Sequence, residues 1–300
     1  MKKSELKPGV TPAPPGEGAF SLIPHKKLLD LYAAMLKCRM IANGIGKVAA
    51  ARLNRYPLIS EAVTVGVTID LAPTDAIGPL PFDLTLCALR GVALKTLLHW
   101  RANPTSSVPK VVARANVISP AASAAARLEA ALRLAAHFRS TNSGSVVVFF
   151  LGLDTPRSKP AASHVLSRER LECSLRQAAA RRLPILFVSH SQADTDGLLP
   201  VAEQCGVPGM VVDRDDVVAV YRSTSEALTH ARRGNGPTLI DSKPWRLNDQ
   251  RRGPRGSIGK MELYLAGKGL AYRPVKDRIS REFAAELERA SNAIVRPGKK

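Results

Sequence analysis

Residues Leu183–Arg246 read LPILFVSHSQADTDGLLPVAEQCGVPGMVVDRDDVVAVYRSTSEALTHARRGNGPTLIDSKPWR. Pro184–Ser189 is a short apolar run bounded by turn residues, which predicts a fully buried strand. A loop and a second short strand follow, ending near Asp213. Asp215 or Asp216 is placed to cap the next helix. Val217, Val220, Tyr221, Thr224, Leu228 and Ala231 fall on one face of that helix at helical spacing. Arg232 and Arg233 complement the negative end of its dipole, and Gly234 supplies the turn that ends it. Pro237–Ser242 is the next strand. The alternation of strand and helix predicts an α/β fold with a mostly parallel sheet.

Working outward, Val146–Leu151 is another buried strand, set between Ser-Gly and Gly. Leu166–Arg182 is a basic helix. Pro120–Phe138 is an alanine-rich helix, with Ser119-Pro120 as its expected N-cap and first residue. Leu28, Leu31, Tyr32, Met35 and Leu36 repeat at i, i+3, i+4, i+7 and i+8, marking one apolar helical face after Pro24. Glu61–Leu71 reads as a buried helix closed by Ala72-Pro73-Thr74-Asp75. Gln250–Gly259 is a Gly/Arg loop. Met261–Arg289 returns to helix, broken around Gly267–Pro274. Residues 1–23 form a Pro/Gly-rich arm expected to be flexible, and residues 24–300 are expected to form a single domain.

The 300 residues are 45% hydrophobic, enough to bury a substantial core. The longest purely apolar run, Val146–Leu151, is too short to span a membrane. No apolar signal core follows Met1-Lys2-Lys3, and the expected location is cytoplasmic. Cys38, Cys87, Cys173 and Cys205 are widely spaced and are expected to be reduced, buried thiols. The formal net charge is +19, which favours an acidic partner or nucleic acid. Aromatic residues make up only 5%, however, and no nucleic-acid recognition motif is present.

Several stretches are similar, in order and spacing, to one family. LLDLYAAMLKCRMIA at Leu28–Ala42, SEAVTVGVTIDLAPTDAI at Ser60–Ile77 and Val117-Ile118-Ser119 resemble its opening helix, its G-Q-E-A helix with P-x-D turn, and its I-V-G. VPGMVVDRDDVVAVY resembles I-P-G-x-x-V-D-G-x-D-x-x-A-V-Y, and GPTLIDSKPWR resembles G-P-T-L-I-E-x-x-T-Y-R. The family is the alpha subunit of the thiamine-diphosphate-dependent decarboxylating component of 2-oxo acid dehydrogenase complexes. The resemblance implies a thiamine-diphosphate-binding-type three-layer sandwich with helices on both faces of the sheet. It also implies a beta subunit as partner in a heterotetramer, with thiamine diphosphate and Mg²⁺ as cofactors. The reaction implied is oxidative decarboxylation of a 2-oxo acid, with the acyl group passed to a lipoyl carrier.

Carried over position by position, the resemblance makes Ser119, Gly152, Asp154, Ser191 and Arg246 the cofactor-site residues, with Asp154 and Ser191 as metal ligands. The match breaks at these very places. Gly152-Leu153-Asp154 stands for the family's G-D-G, so leucine occupies the position of a metal-binding aspartate. His190-Ser191-Gln192 replaces E-N-N. Pro81-Phe82, followed by Asp83, replaces the Tyr-Arg pair that grips the diphosphate. Asn248 and its neighbours replace a histidine-bearing loop beyond Arg246. These losses predict weak cofactor binding and impaired catalysis. The other reading is a non-catalytic basic scaffold for an acidic protein or nucleic acid. His190, at the carboxyl end of a strand, is a candidate base or a locally bonded loop histidine.

Overall fold

The computed structural model describes residues 23–48, 59–80, 83–102, 110–119, 123–151, 166–191, 197–244 and 256–295. Five parallel strands form one sheet: β1 (Ala76–Gly78), β2 (Val147–Leu151), β3 (Ile185–His190), β4 (Gly209–Asp213) and β5 (Thr238–Lys243). Their order is β1-β2-β3-β5-β4. Phe149 pairs with Phe187, Phe187 with Leu239, and Ile240 with Met210. The chain therefore steps from β3 past the place of β5 to β4, then returns.

Alternate residues of the strands feed opposite faces, as a pleated backbone requires. Val148, Phe150, Leu186, Val188 and Ile240 join one core. Helices α2 (Glu61–Thr68), α3 (Leu84–Leu89), α4 (Leu94–Ala102), α5 (Lys110–Arg114) and α9 (Val217–Arg232) contribute to it. Val147, Phe149, Ile185, Phe187 and Leu239 join the other core, against α6 (Ala124–Ser140), α7 (Arg168–Ala180) and α8 (Leu199–Gln204). Both sheet faces are covered, which explains why the strands read as continuous apolar runs. This is the three-layer α/β arrangement expected from the sequence.

A further group of helices lies outside α2: α1 (His25–Val48), α10 (Gly256–Gly267) and α11 (Arg273–Val295). Leu28, Leu31, Tyr32, Met35 and Leu36 of α1 are all buried, as the spacing predicts. Each fully buried apolar side chain of this size contributes about 1.5–3 kcal/mol. Polar contacts fix the group in place. Glu61 accepts from Arg39 and from Ser257 Oγ, tying α1, α2 and α10 together. Tyr32 Oη donates to Glu262 at 2.7 Å. No described helix is long and apolar enough to cross a membrane.

Several local expectations need correction. The alanine-rich helix starts later than Ser119-Pro120 implies, since Ser123 is its N-cap and accepts from the Ala126 amide. Helix α2 ends at Thr68 rather than Leu71. Helix α10 begins at Gly256, inside the stretch read as a loop. Cys173 is exposed, whereas Cys38, Cys87 and Cys205 are buried; all four are free thiols. The cap of α9 is Asp216, one of the two expected candidates, accepting from Val218 and Ala219.

Candidate functional site

The direction in which the chain leaves the sheet defines a crevice. After β3 it passes to α8 on one face, and after β4 to α9 on the other. Strand β5 lies between β3 and β4. Its carboxyl end, Asp241-Ser242-Lys243, is therefore the floor of a crevice between two diverging connections. In open parallel sheets ligands bind in this kind of place.

On the α8 side the centre is Asp241. It is fully buried. Its Oδ1 accepts from Ser189 Oγ at 2.7 Å and from Ser191 Oγ at 2.6 Å. Lys243 Nζ lies 3.8 Å from Oδ2. Among the described residues Oδ2 accepts no hydrogen bond. Gly197 closes over it with φ +70°, and a Cβ there would overlap the carboxylate. Glycine is needed for both the backbone angle and the space.

On the α9 side a second chain of polar groups runs along the same edge. Arg214 Nη1 donates to His190 Nε2 at 3.1 Å. An arginine can only donate, so Nε2 is unprotonated and the ring hydrogen sits on Nδ1. Nδ1 faces Ser242 Oγ at 3.4 Å, and Ser242 donates to the Ser189 carbonyl at 2.7 Å. Burial lowers the His190 pKa to about 4; the Arg214 charge adds to this and Asp241 opposes it. Neutral His190 with both nitrogens engaged is a fixed spacer. The locally bonded reading of this residue holds, and the role of general base does not suit it.

At the far side of the edge Arg127 of α6 is buried, donates to the Pro79 carbonyl after β1 and lies 6.0 Å from the Phe149 ring centroid. Asp83 caps α3, accepting from Thr85 and Leu86. Desolvation pushes its carboxyl up to about 6, against those two amide bonds.

The expected site residues divide as follows. Ser119 follows Ile118, whose amide donates to Ile77 of β1, so it lies near the carboxyl end of β1. Ser191 lies at the carboxyl end of β3 and is buried. The two share an edge, but the Ser119 segment bridges the outer side of β1, so they stand three strand spacings apart, roughly 14 Å at normal strand spacing. Gly152, Asp154 and Arg246 lie outside the described residues, as do Leu153, Pro81, Phe82, Gln192 and Asn248. Among the described residues no three His, Cys, Asp or Glu side chains converge as a metal cage. Ser191 gives its hydroxyl hydrogen to Asp241. Of the two expected metal ligands, Ser191 alone lies among the described residues.

Asp241, Arg214 and Lys243 were not singled out from the sequence. A signal existed for Arg214, which stands where the family's V-D-G-x-D has glycine. Asp241 stands where that family has glutamate.

A parallel α/β sandwich with a polar crevice at the carboxyl edge is the class these features define. The model of the dehydrogenase E1 component family matches residues 188–253, the stretch that builds the crevice. The pyruvate dehydrogenase E1 component subunit alpha of Acholeplasma laidlawii is 22% identical, over 88% of this chain and 83% of that protein. The equivalent Mycoplasma genitalium subunit is 25% identical, over 83% of this chain and 68% of that protein. The alpha subunit of the acetoin:2,6-dichlorophenolindophenol oxidoreductase of Cupriavidus necator is 30% identical, over 42% of this chain and 46% of that protein. Over most of its length the chain is similar to alpha subunits of the pyruvate dehydrogenase E1 component.

Proposed function

We propose that this chain is an alpha-type subunit that pairs with a beta subunit of the E1 type, and that it has lost the conventional grip on thiamine diphosphate and Mg²⁺. Its role is then assembly or regulation of the component that decarboxylates a 2-oxo acid, in a heterotetramer. The observation that carries this reading is the Ser191–Asp241 bond. The second metal position is replaced by a hydroxyl that is bonded to the protein's own carboxylate. Leucine at position 153 weakens the first metal position in sequence. When bound, thiamine diphosphate supplies the carbanion and electron sink for decarboxylation. What this chain's described residues do is hold the carboxyl edge of the sheet rigid.

In this reading Ser119, Gly152, Asp154, Ser191 and Arg246 are the vestiges of the cofactor site, with Asp154 and Ser191 at the former metal-ligand positions. The single domain from residue 24 onward is supported by the shared packing of α1, α2, α9, α10 and α11. The reading includes a cytoplasmic location, supported by buried free thiols at Cys38, Cys87 and Cys205.

Co-expression with an E1-type beta subunit tests the pairing. A tagged chain should retain the beta subunit through gel filtration as a stoichiometric complex. Recovery of the tagged chain alone, folded, overturns the partner reading. Preferential, steeply salt-dependent retention on DNA in place of the beta subunit would favour a basic scaffold instead.

A further inference from the structure

Arg214 is a charged residue of the crevice with no ion-pair partner among the described residues. Its guanidinium is half-buried, and its one side-chain bond among the described residues is to neutral His190. No carboxylate lies within ion-pair distance of it among the described residues. Among the described residues, four carboxylates belong to the neighbouring strand ends and turn, Asp213, Asp215, Asp216 and Asp241, and each is already engaged. Asp213 pairs with Lys260 at 2.7 Å. Asp216 caps α9. Asp215 accepts from Ser60 Oγ at 3.4 Å. Asp241 serves Ser189, Ser191 and Lys243. A half-buried guanidinium without an anion is costly, because its fork of donors is matched only by a carboxylate or phosphate.

The position is also right for a ligand. Arg214 is the first residue after β4, and its amide donates to the Lys243 carbonyl at the end of β5. It therefore lies on the wall of the crevice where the connections after β3 and β4 diverge. His190 holds one edge of the guanidinium and Ser242 holds His190. Its orientation is fixed before any ligand arrives, which lowers the ordering cost of binding. The family pattern has glycine here, so the receptor belongs to this chain.

We propose that Arg214, steadied by His190 and Ser242, is the receptor for a small oxyanion at the carboxyl edge of β5. The shared chemistry is a planar or tetrahedral group with two oxygens for the guanidinium fork. The source is either a small carboxylate, such as a 2-oxo acid, or a phosphate.

The test is calorimetric titration of the full chain with inorganic phosphate and, separately, with pyruvate. The unmodified chain should bind one equivalent of at least one probe, with a dissociation constant below roughly 1 mM. Arg214→Gly and Arg214→Gln should weaken that binding at least tenfold. Arg214→Lys, which keeps the charge and loses the fork, should fall between. Far-UV circular dichroism and the thermal midpoint establish that each variant is folded. Binding of phosphate alone assigns the site to a phosphorylated ligand, and binding of pyruvate alone to a carboxylate. Binding of neither probe overturns the proposal. So does equal affinity in a folded Arg214→Gly chain. Neither probe involves thiamine diphosphate or a beta subunit, so a negative result here leaves the subunit reading standing.

Discussion

Ser191 Oγ donates to Asp241 Oδ1 across 2.6 Å, joining the residue just past β3 to a carboxylate of β5 that stands fifty positions on. With Ser189 on the same oxygen, the bond makes Asp241 the tie between two neighbouring strands. Removing the carboxylate strands two buried hydroxyls and takes one ion-pair partner from Lys243. Asp241→Ala should therefore lower stability by about 3 kcal/mol or more, as for other buried pairs broken on one side. Asp241→Asn, which still accepts at one oxygen, should cost less. Urea denaturation at neutral pH reads the difference.

Gly197 should tolerate no side chain. Its φ of +70° disfavours any L residue, and a Cβ would overlap Asp241. The backbone term alone is about 1–2 kcal/mol. Gly197→Ala should exceed that in chemical denaturation, and Asp241→Asn in the same chain should not restore it, since the overlap persists.

His190 makes stability depend on pH. Its folded pKa is about 4, below the ordinary value of about 6.5. Between these values the unfolded chain binds more protons, so stability from this group is full above pH 6.5 and is lost as pH falls toward 4. Replacing it with His190→Gln should flatten the profile in that window by up to about 1.4 kcal/mol per pH unit. Urea midpoints measured from pH 7 to 4 for both proteins check this. Identical slopes would contradict the assignment.

Asp83 acts with the opposite sign. Its folded pKa of about 6 lies above the ordinary value of 3.8. The folded chain binds the extra proton between them, so this group's contribution falls as pH rises through that window. Asp83→Asn keeps an acceptor for the Thr85 and Leu86 amides and removes the ionisable group. It should be neutral or stabilising at pH 7.5. Asp83→Ala loses the cap and should cost about 1 kcal/mol. Thermal melts of the two variants at pH 7.5 and pH 5 separate charge from cap.

The legible parts of the molecule were those with repeating patterns. Apolar runs marked β2, β3 and β5, and the spacing from Val217 to Ala231 marked α9, because burial on one or both faces leaves a periodic trace. Short elements left none. Strand β1 has three residues and α5 has five, too few for a period to show. Ser119-Pro120 and Ser123 are both good starts for a helix, and local chemistry does not choose between them. The crevice was the least legible feature. His190 and Ser242, or Ser189 and Asp241, are 52 residues apart. Only the parallel register of β3 and β5 sets them side by side. Arg127 was hidden for a different reason: an arginine in an alanine-rich helix reads as solvated, yet this one is buried, bonded to the Pro79 carbonyl and set beside Phe149.

The most direct test of the central claim is calorimetric titration with thiamine diphosphate, in the presence and absence of Mg²⁺, on the chain alone and on its complex with an E1-type beta subunit. The account predicts no saturable, metal-dependent binding to the chain alone and none in the complex beyond any the beta subunit shows by itself. Tight binding in the complex that requires Mg²⁺ and is abolished by Asp154→Ala would contradict it and identify a rebuilt metal site.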